Sequence, residues 1–234
     1  MKKISLLVLS LFWASLTHAQ SNLIVACIDD HPPYQYLGET PHGTHITALE
    51  VLANVLDKKL TFIQSPNFAR CVAMLKNGDV DVVAGLNKTE QRAKFAFYAP
   101  FKAADALRVI SKESIIINTY DDFKGKIIGV ARGSLYFPRF DSDDTLDKIS
   151  VQNNRIGFSM LLKNRIDLIM LSPEILETFS EEIKSAKLKV SPMELEEVRN
   201  NVTLFGFSKH HKLNLNDKEL IDKVTTAYKN GAFK

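Results

Sequence analysis

The apolar positions of this chain fall into short unbroken runs, separated by stretches in which they recur every three to four residues. Residues 23–28 are such a run, closed by Asp29, Asp30 and Pro32-Pro33. A strand buried on both faces, as parallel sheets require, has this pattern. From Gly43-Thr44 the spacing changes, and Ala48, Leu49, Leu52, Val55 and Leu56 form one stripe of a helix. Residues 60–64 predict a second strand. Pro66 precedes a predicted helix over 68–77, which Gly78 stops, and 80–86 predict a third strand. The alternation continues with strands at 107–111, 126–130, 168–171 and 202–207, a helix over 155–163 and a helix start at Pro173. A last helix over 217–230 puts Leu220, Ile221, Val224 and Tyr228 on its apolar side. Strand–helix alternation along the whole chain means an α/β class, with mainly parallel sheets flanked by helices. No Gly/Ser tract interrupts it, so two lobes would be joined by ordered segments.

The first residues follow a different rule. Lys2 and Lys3 are followed by a mostly apolar run over 4–16 and by Thr17-His18-Ala19. This is the layout of a secretory signal peptide, with cleavage expected after Ala19, and its apolar part is too short to span a bilayer comfortably. Gln20, not a cysteine, follows the expected cut, so no lipid attachment is predicted there. Cleavage leaves 215 of the 234 residues and lowers the formal charge from +3 to +1. That length suits one large domain or two lobes of about 100 residues each. A nearly neutral chain lacks the basic surface that nucleic acid or an anionic membrane would require. Two cysteines remain, Cys27 and Cys71. In an oxidising compartment they form either one disulfide or two separate buried thiols.

Several stretches carry a resemblance. They are Asp30-His-Pro-Pro-Tyr34 after the first strand, Met74-Leu-Lys-Asn-Gly-Asp-Val-Asp81, and Thr89-Glu-Gln-Arg92 with Phe97-Tyr-Ala-Pro-Phe101 behind it. Asp122-Phe-Lys-Gly-Lys126, followed by Gly129-Val130 and Gly133-Ser134, completes the set. In this order and spacing the chain resembles family 3 of bacterial extracellular solute-binding proteins, the periplasmic receptors of polar amino-acid ABC importers. The resemblance implies a two-lobed type II periplasmic binding fold. Lobe one would hold residues 20–103 and 201–234, lobe two residues 104–200, and crossover strands near 101–107 and 199–205 would join them. It implies a monomer in the periplasm that closes by a hinge on a small carboxylate-bearing solute and hands it to a permease. No cofactor and no catalytic residue is implied.

The site residues follow partly from chemistry and partly from that resemblance. Arg92 lies in the loop after the third strand, at the sheet edge where α/β folds place ligands. Its planar fork of donors fits a carboxylate in a way no lysine can copy. Gly85, Asn87 and Thr89 line the same loop. Gly133-Ser134 would supply backbone N–H groups at a helix start in lobe two. Tyr34, Tyr36 and Phe68 match positions where the family stacks aromatics on the ligand, and Pro32-Pro33 predicts an extended loop that presents Tyr34. Arg70 would add a second cation. The family holds a ligand ammonium with a carboxylate after the strand at 168–171, where this chain has Ser172; Ile28 stands at the matching place in the first strand. Either Glu174 or Asp30 substitutes, or the ligand is not an α-amino acid.

Other signals lead elsewhere. Residues 141–152 lack the glycine and the glutamate of a calcium loop. His42 and His45 find no third metal ligand and are expected at the surface, and His210-His211 falls in a polar loop. Two alternatives to a transport receptor remain: an enzyme on the same fold, similar to periplasmic cyclohexadienyl dehydratase, with Glu174 as the candidate acid or base, and a ligand receptor for a membrane sensor.

Overall fold

The computed structural model describes residues 22–104, 106–191 and 202–234. The expected signal peptide with its cut after Ala19, and the first part of the second crossover, lie outside the described residues. In chain order the elements are β1 (Leu23–Asp29), α1 (Thr44–Val55), β2 (Lys59–Ser65), α2 (Phe68–Asn77), β3 (Val82–Ala84), α3 (Glu90–Ala93) and β4 (Ala96–Ala103). Then come β5 (Arg108–Ser111), β6 (Ile127–Ala131), α4 (Pro138–Ser142), β7 (Asp147–Val151), α5 (Asn154–Leu162) and β8 (Leu168–Leu171). After these follow α6 (Pro173–Glu177), α7 (Ser180–Ser185), β9 (Lys189–Val190), β10 (Val202–Ser208) and α8 (Asp217–Lys229).

These strands build two five-stranded sheets, ordered β2-β1-β3-β10-β4 and β7-β6-β8-β5-β9. In the first, β1 pairs in parallel with β2 and β3, whereas β10 runs antiparallel to β3 and β4. In the second, β6 pairs in parallel with β7 and β8, and β5 runs antiparallel to β8 and β9. The βαβ half of each sheet is parallel because its crossovers are helices. The chain leaves the first sheet after β4 and re-enters it at β10, so lobe one is closed by the C-terminal strand and α8.

Both faces of each sheet are covered, which explains the continuous apolar strands. On β1 the alternation sends Ile24, Ala26 and Ile28 to one face, against Ile46, Leu49 and Leu52 of α1 and Leu220 and Val224 of α8. Cys27 faces the other way with Val25, against Cys71 and Leu75 of α2. Cys27 and Cys71 are joined as a disulfide, with Cα atoms 5.4 Å apart. In lobe two, Val109, Ile128, Leu168 and Met170 pack on Phe123, Phe137 and Phe140, while Ile110, Ile169 and Leu171 pack on Phe158, Leu161 and Ile175.

The helix limits reflect local chemistry. Asn67 caps α2 by accepting from the Arg70 amide, and Gly78 ends it at φ 77 in the left-handed region. Two expectations are corrected. The strand read over 80–86 is only Val82–Ala84. No helix begins at Gly133-Ser134, because the Ser134 amide closes a turn onto the Ala131 carbonyl and α4 starts at Pro138. Proline is the first helical residue there. The edge strand β7, mostly exposed, escaped the pattern because it carries little apolar alternation. Among the described residues no helix is long and apolar enough to cross a membrane.

The disulfide closes a loop with a sequence separation of 44. On the chain-entropy model such a loop is worth about 4 kcal/mol. The double variant Cys27→Ser/Cys71→Ser is expected to lose a comparable amount in urea denaturation under oxidising conditions; a loss under about 1 kcal/mol would count against the bridge as a stabiliser.

Candidate functional site

The carboxyl ends of β1 and β3 and the loops after them face lobe two, and here the two lobes touch through side chains. Arg92 is built into this seam by its own turn. Thr89 accepts from the Arg92 amide as the N-cap of α3, which holds the arginine one turn into a four-residue helix. The Arg92 side chain is only 9 % exposed. Its Nη1 donates to the Asn87 carbonyl at 3.2 Å and its Nη2 to the Gly133 carbonyl of lobe two at 2.6 Å. Burial pulls its pKa down, while Tyr98 and Asp141 nearby pull it up. Asn87 itself reaches across, its Nδ2 donating to the Leu135 carbonyl.

Gly133 makes the close approach possible. It sits at φ +85, and a Cβ there would lie 2.6 Å from the Ala69 backbone of α2. Any larger residue would hold the lobes apart.

Tyr34 anchors the other side of the seam. Although it belongs to lobe one, it is 5 % exposed and packs within the lobe-two cluster of Phe158, Leu171 and Ile175. Its hydroxyl is 2.7 Å from Ser172 Oγ, which also accepts the Ile175 amide at the start of α6. The loop that carries Tyr34 is not extended as the prolines predicted. His31 and Gln35 pair across a tight turn containing a cis Pro32–Pro33 peptide. Gly43 allows this turn to lie on the start of α1, since a side chain there would strike the Pro33 and Tyr34 carbonyls.

Further polar contacts surround Tyr34. Lys102 of β4 lies 5.2 Å from its ring centroid and donates to Glu174 Oε1 of lobe two. Glu174 Oε2 is buried and meets no partner among the described residues. His31 Nε2 is 2.9 Å from Asn154 Nδ2, Arg155 lies 3.7 Å from Asp30, and Gln152 donates to the Pro66 carbonyl. His45 corrects another expectation. It is buried, not solvent-facing, and it stacks on Tyr34 at 4.6 Å and meets Phe101 edge-on. Gly85, at φ +80, leaves room for that ring, because a Cβ would come within 3.0 Å of it.

The seam holds titratable groups away from their ordinary charge. Asp29, 3 % exposed at the end of β1, has its carboxyl pushed up to about 7 by burial and by Asp30 beside it. Its Oδ1 is buried without a partner among the described residues. Burial lowers His31 to about 4 and His45 well below the ordinary range. Gln35 fixes one tautomer. Its Oε1 accepts the Asp29 amide, so its Nε2 donates and His45 Nδ1 accepts.

Of the residues singled out from sequence, Arg92, Asn87, Gly133, Tyr34 and Ser172 meet at the seam, with Thr89 and Gly85 supporting them. Ser134 is part of a turn beside Gly133. Phe68 packs toward the disulfide cluster, Tyr36 stacks on His42, and Arg70 stands exposed on α2. Sequence reasoning passed over Lys102, Asn154, His45 and Tyr98. Asp29 had a legible signal, a charge on the last position of a strand buried on both faces. Among the described residues no cluster of His, Cys, Asp or Glu is fit to hold a metal ion.

Residues 23–230 match the model of the bacterial extracellular solute-binding proteins, family 3. The arginine-binding extracellular protein ArtP of Bacillus subtilis (strain 168) is 29 % identical over 121 residues, which are 50 % of this chain and 46 % of that protein. A protein of Shewanella frigidimarina (strain NCIMB 400), provisionally named a sensor, is 22 % identical over 157 residues, 65 % of this chain and 24 % of that one. The chain therefore spans less than half the length of these relatives. Among solved structures, an ancestral arginine-binding protein bound to arginine superposes with a TM-score of 0.73 at 21 % identity, covering 92 % of this chain and 96 % of that one. The shared architecture is the two-lobed type II periplasmic binding fold.

The raised Asp29 carboxyl makes a signed prediction. As pH rises from about 4 to about 7 the unfolded chain loses this proton before the folded one does, so Asp29 removes stability across that window and no further above it. His31, lowered to about 4, removes stability in the opposite direction, as pH falls from about 6.5. Asp29→Asn should therefore match the parent near pH 4 and exceed it at pH 8 by a few kcal/mol, since each ten-fold change in proton affinity is worth about 1.4 kcal/mol. Urea denaturation at pH 4, 6 and 8 checks this; a gap independent of pH would contradict it.

Proposed function

The chain belongs to the bacterial extracellular solute-binding proteins, family 3, and we propose that it is a periplasmic receptor that closes on a small carboxylate-bearing solute, an amino acid or close relative, and delivers it to an ABC importer. One observation carries the reading. A guanidinium projecting from lobe one is buried in the seam and bonded to a lobe-two carbonyl. A ligand carboxylate arriving at that fork would exchange neutral acceptors for charged ones, which bind a guanidinium about twice as strongly. Closure then keeps the pair out of water, where it is worth more than at a surface.

The second lobe contributes the Gly133 turn, Ser172 and Glu174. Ser172 stands where the family uses a carboxylate, and Glu174, two residues on, offers its unpartnered Oε2 for a ligand ammonium. Its other oxygen is held by Lys102. A carboxylate so committed serves better as a fixed acceptor than as a proton-transfer group, and this favours binding over catalysis. The arginine and glutamine complexes of structural relatives concern those proteins, and they make these two amino acids the first to try. We read the receptor as a monomer. A sensor's ligand-binding module is the second reading, favoured by the provisionally named sensor among the relatives.

Arg92→Ala should weaken binding of the best ligand by ten-fold or more, since hydrogen bonds to charged groups are worth about 1.5–3 kcal/mol. A thermal-shift panel of amino acids, dicarboxylates and aromatic acids identifies that ligand, and calorimetry measures the loss; unchanged affinity would remove the clamp. Gly133→Val should abolish ligand-induced compaction in small-angle scattering while each lobe stays folded, because its side chain would meet Ala69. Normal closure in this variant would contradict the seam.

A further inference from the structure

Tyr98 belongs to the 97–101 stretch that carries the family resemblance, but no seam contact accounts for it. It lies on β4 and packs with the cluster of Cys27, Leu75 and Val83. Its hydroxyl oxygen is buried and meets no hydrogen-bond partner among the described residues. Burial pushes the phenol up, whereas the Arg92 guanidinium and the Thr89 backbone amide pull it down.

The polar groups that act on this oxygen, the Arg92 guanidinium and the Thr89 amide, are donors, and neither forms a hydrogen bond to it. A phenol can satisfy such donors with its lone pairs, but its own O–H then needs an acceptor. A buried hydroxyl left without one is an uncompensated cost that a fold does not keep without a reason. Asp141 also lies near Arg92 and accepts the Tyr136 amide, but it makes no bond to the Tyr98 hydroxyl. The acceptor that would complete the group sits beside a cation, and charge complementarity makes it an anion. A carboxylate brings two oxygens with about four acceptor positions, enough for a guanidinium and a phenol together.

We propose that Tyr98 is a ligand contact, whose hydroxyl donates to the carboxylate held by Arg92 and sets the preference for a free acid over its uncharged amide. The inference rests on the receptor reading and names one residue and one chemical group within it. It gives Tyr98 a pattern of effects opposite to that of a packing residue. The hydroxyl burdens the ligand-free protein and helps only the complex.

The test compares wild type with Tyr98→Phe, which keeps the ring and its packing. A thermal-shift screen of the L-amino acids selects the tightest, and titration calorimetry then measures that acid and its α-carboxamide on both proteins. The acid should bind Tyr98→Phe ten-fold or more weakly, the carboxamide should change less than two-fold, and the ligand-free variant should melt at least a degree higher. Acid affinity within two-fold of wild type, equal losses for acid and amide, or a ligand-free melting temperature lowered by several degrees would each overturn the proposal. If wild type binds none of the acids, the receptor reading falls and this inference with it. If wild type binds and Tyr98→Phe is indifferent, only the inference falls.

Discussion

A guanidinium can leave water only where acceptors meet its N–H groups, and the meeting of the two lobes is organised around that requirement. Arg92 finds one acceptor in its own loop, the Asn87 carbonyl, and the other across the seam at Gly133. Neither lobe could bury this cation alone. Three local features serve the arrangement: Thr89 caps the short turn that aims Arg92, Gly133 lets the lobe-two turn touch α2, and the disulfide ties α2 to β1. The burial of Arg92 is therefore a property of the contact between the lobes and not of either sheet.

Around it the seam is polar but sparing with charge. His31 and His45 are held neutral by burial, and Asp29 titrates near neutrality instead of in the acid range. A dry interface tolerates neutral hydrogen-bonding rings far better than unpaired ions. Lys102 and Glu174 enter as a pair.

How much of this was legible depended on the range of the interactions involved. The run over 23–28 announced a strand covered on both sides, and Asn67 with Gly78 marked both ends of α2, because burial period and capping are local. Arg92 and Ser172 were legible through motif position. His45 was misjudged, since its partners Tyr34 and Phe101 come from other segments and nothing near it in sequence signals burial. The Pro32-Pro33 stretch suggested extension, yet the pairing of His31 with Gln35 folds it into a turn.

By itself the sequence determined the α/β class, most of the element limits and the loops at the strand ends that carry the candidate site residues, because each rests on neighbours within a turn or a pleat. Only the tertiary structure decided which of those residues face one another. The bond from Tyr34 to Ser172 joins positions 138 apart, and that from Arg92 to Gly133 positions 41 apart. Such pairings depend on how two separately folded sheets are set against each other, and no local periodicity encodes that relation.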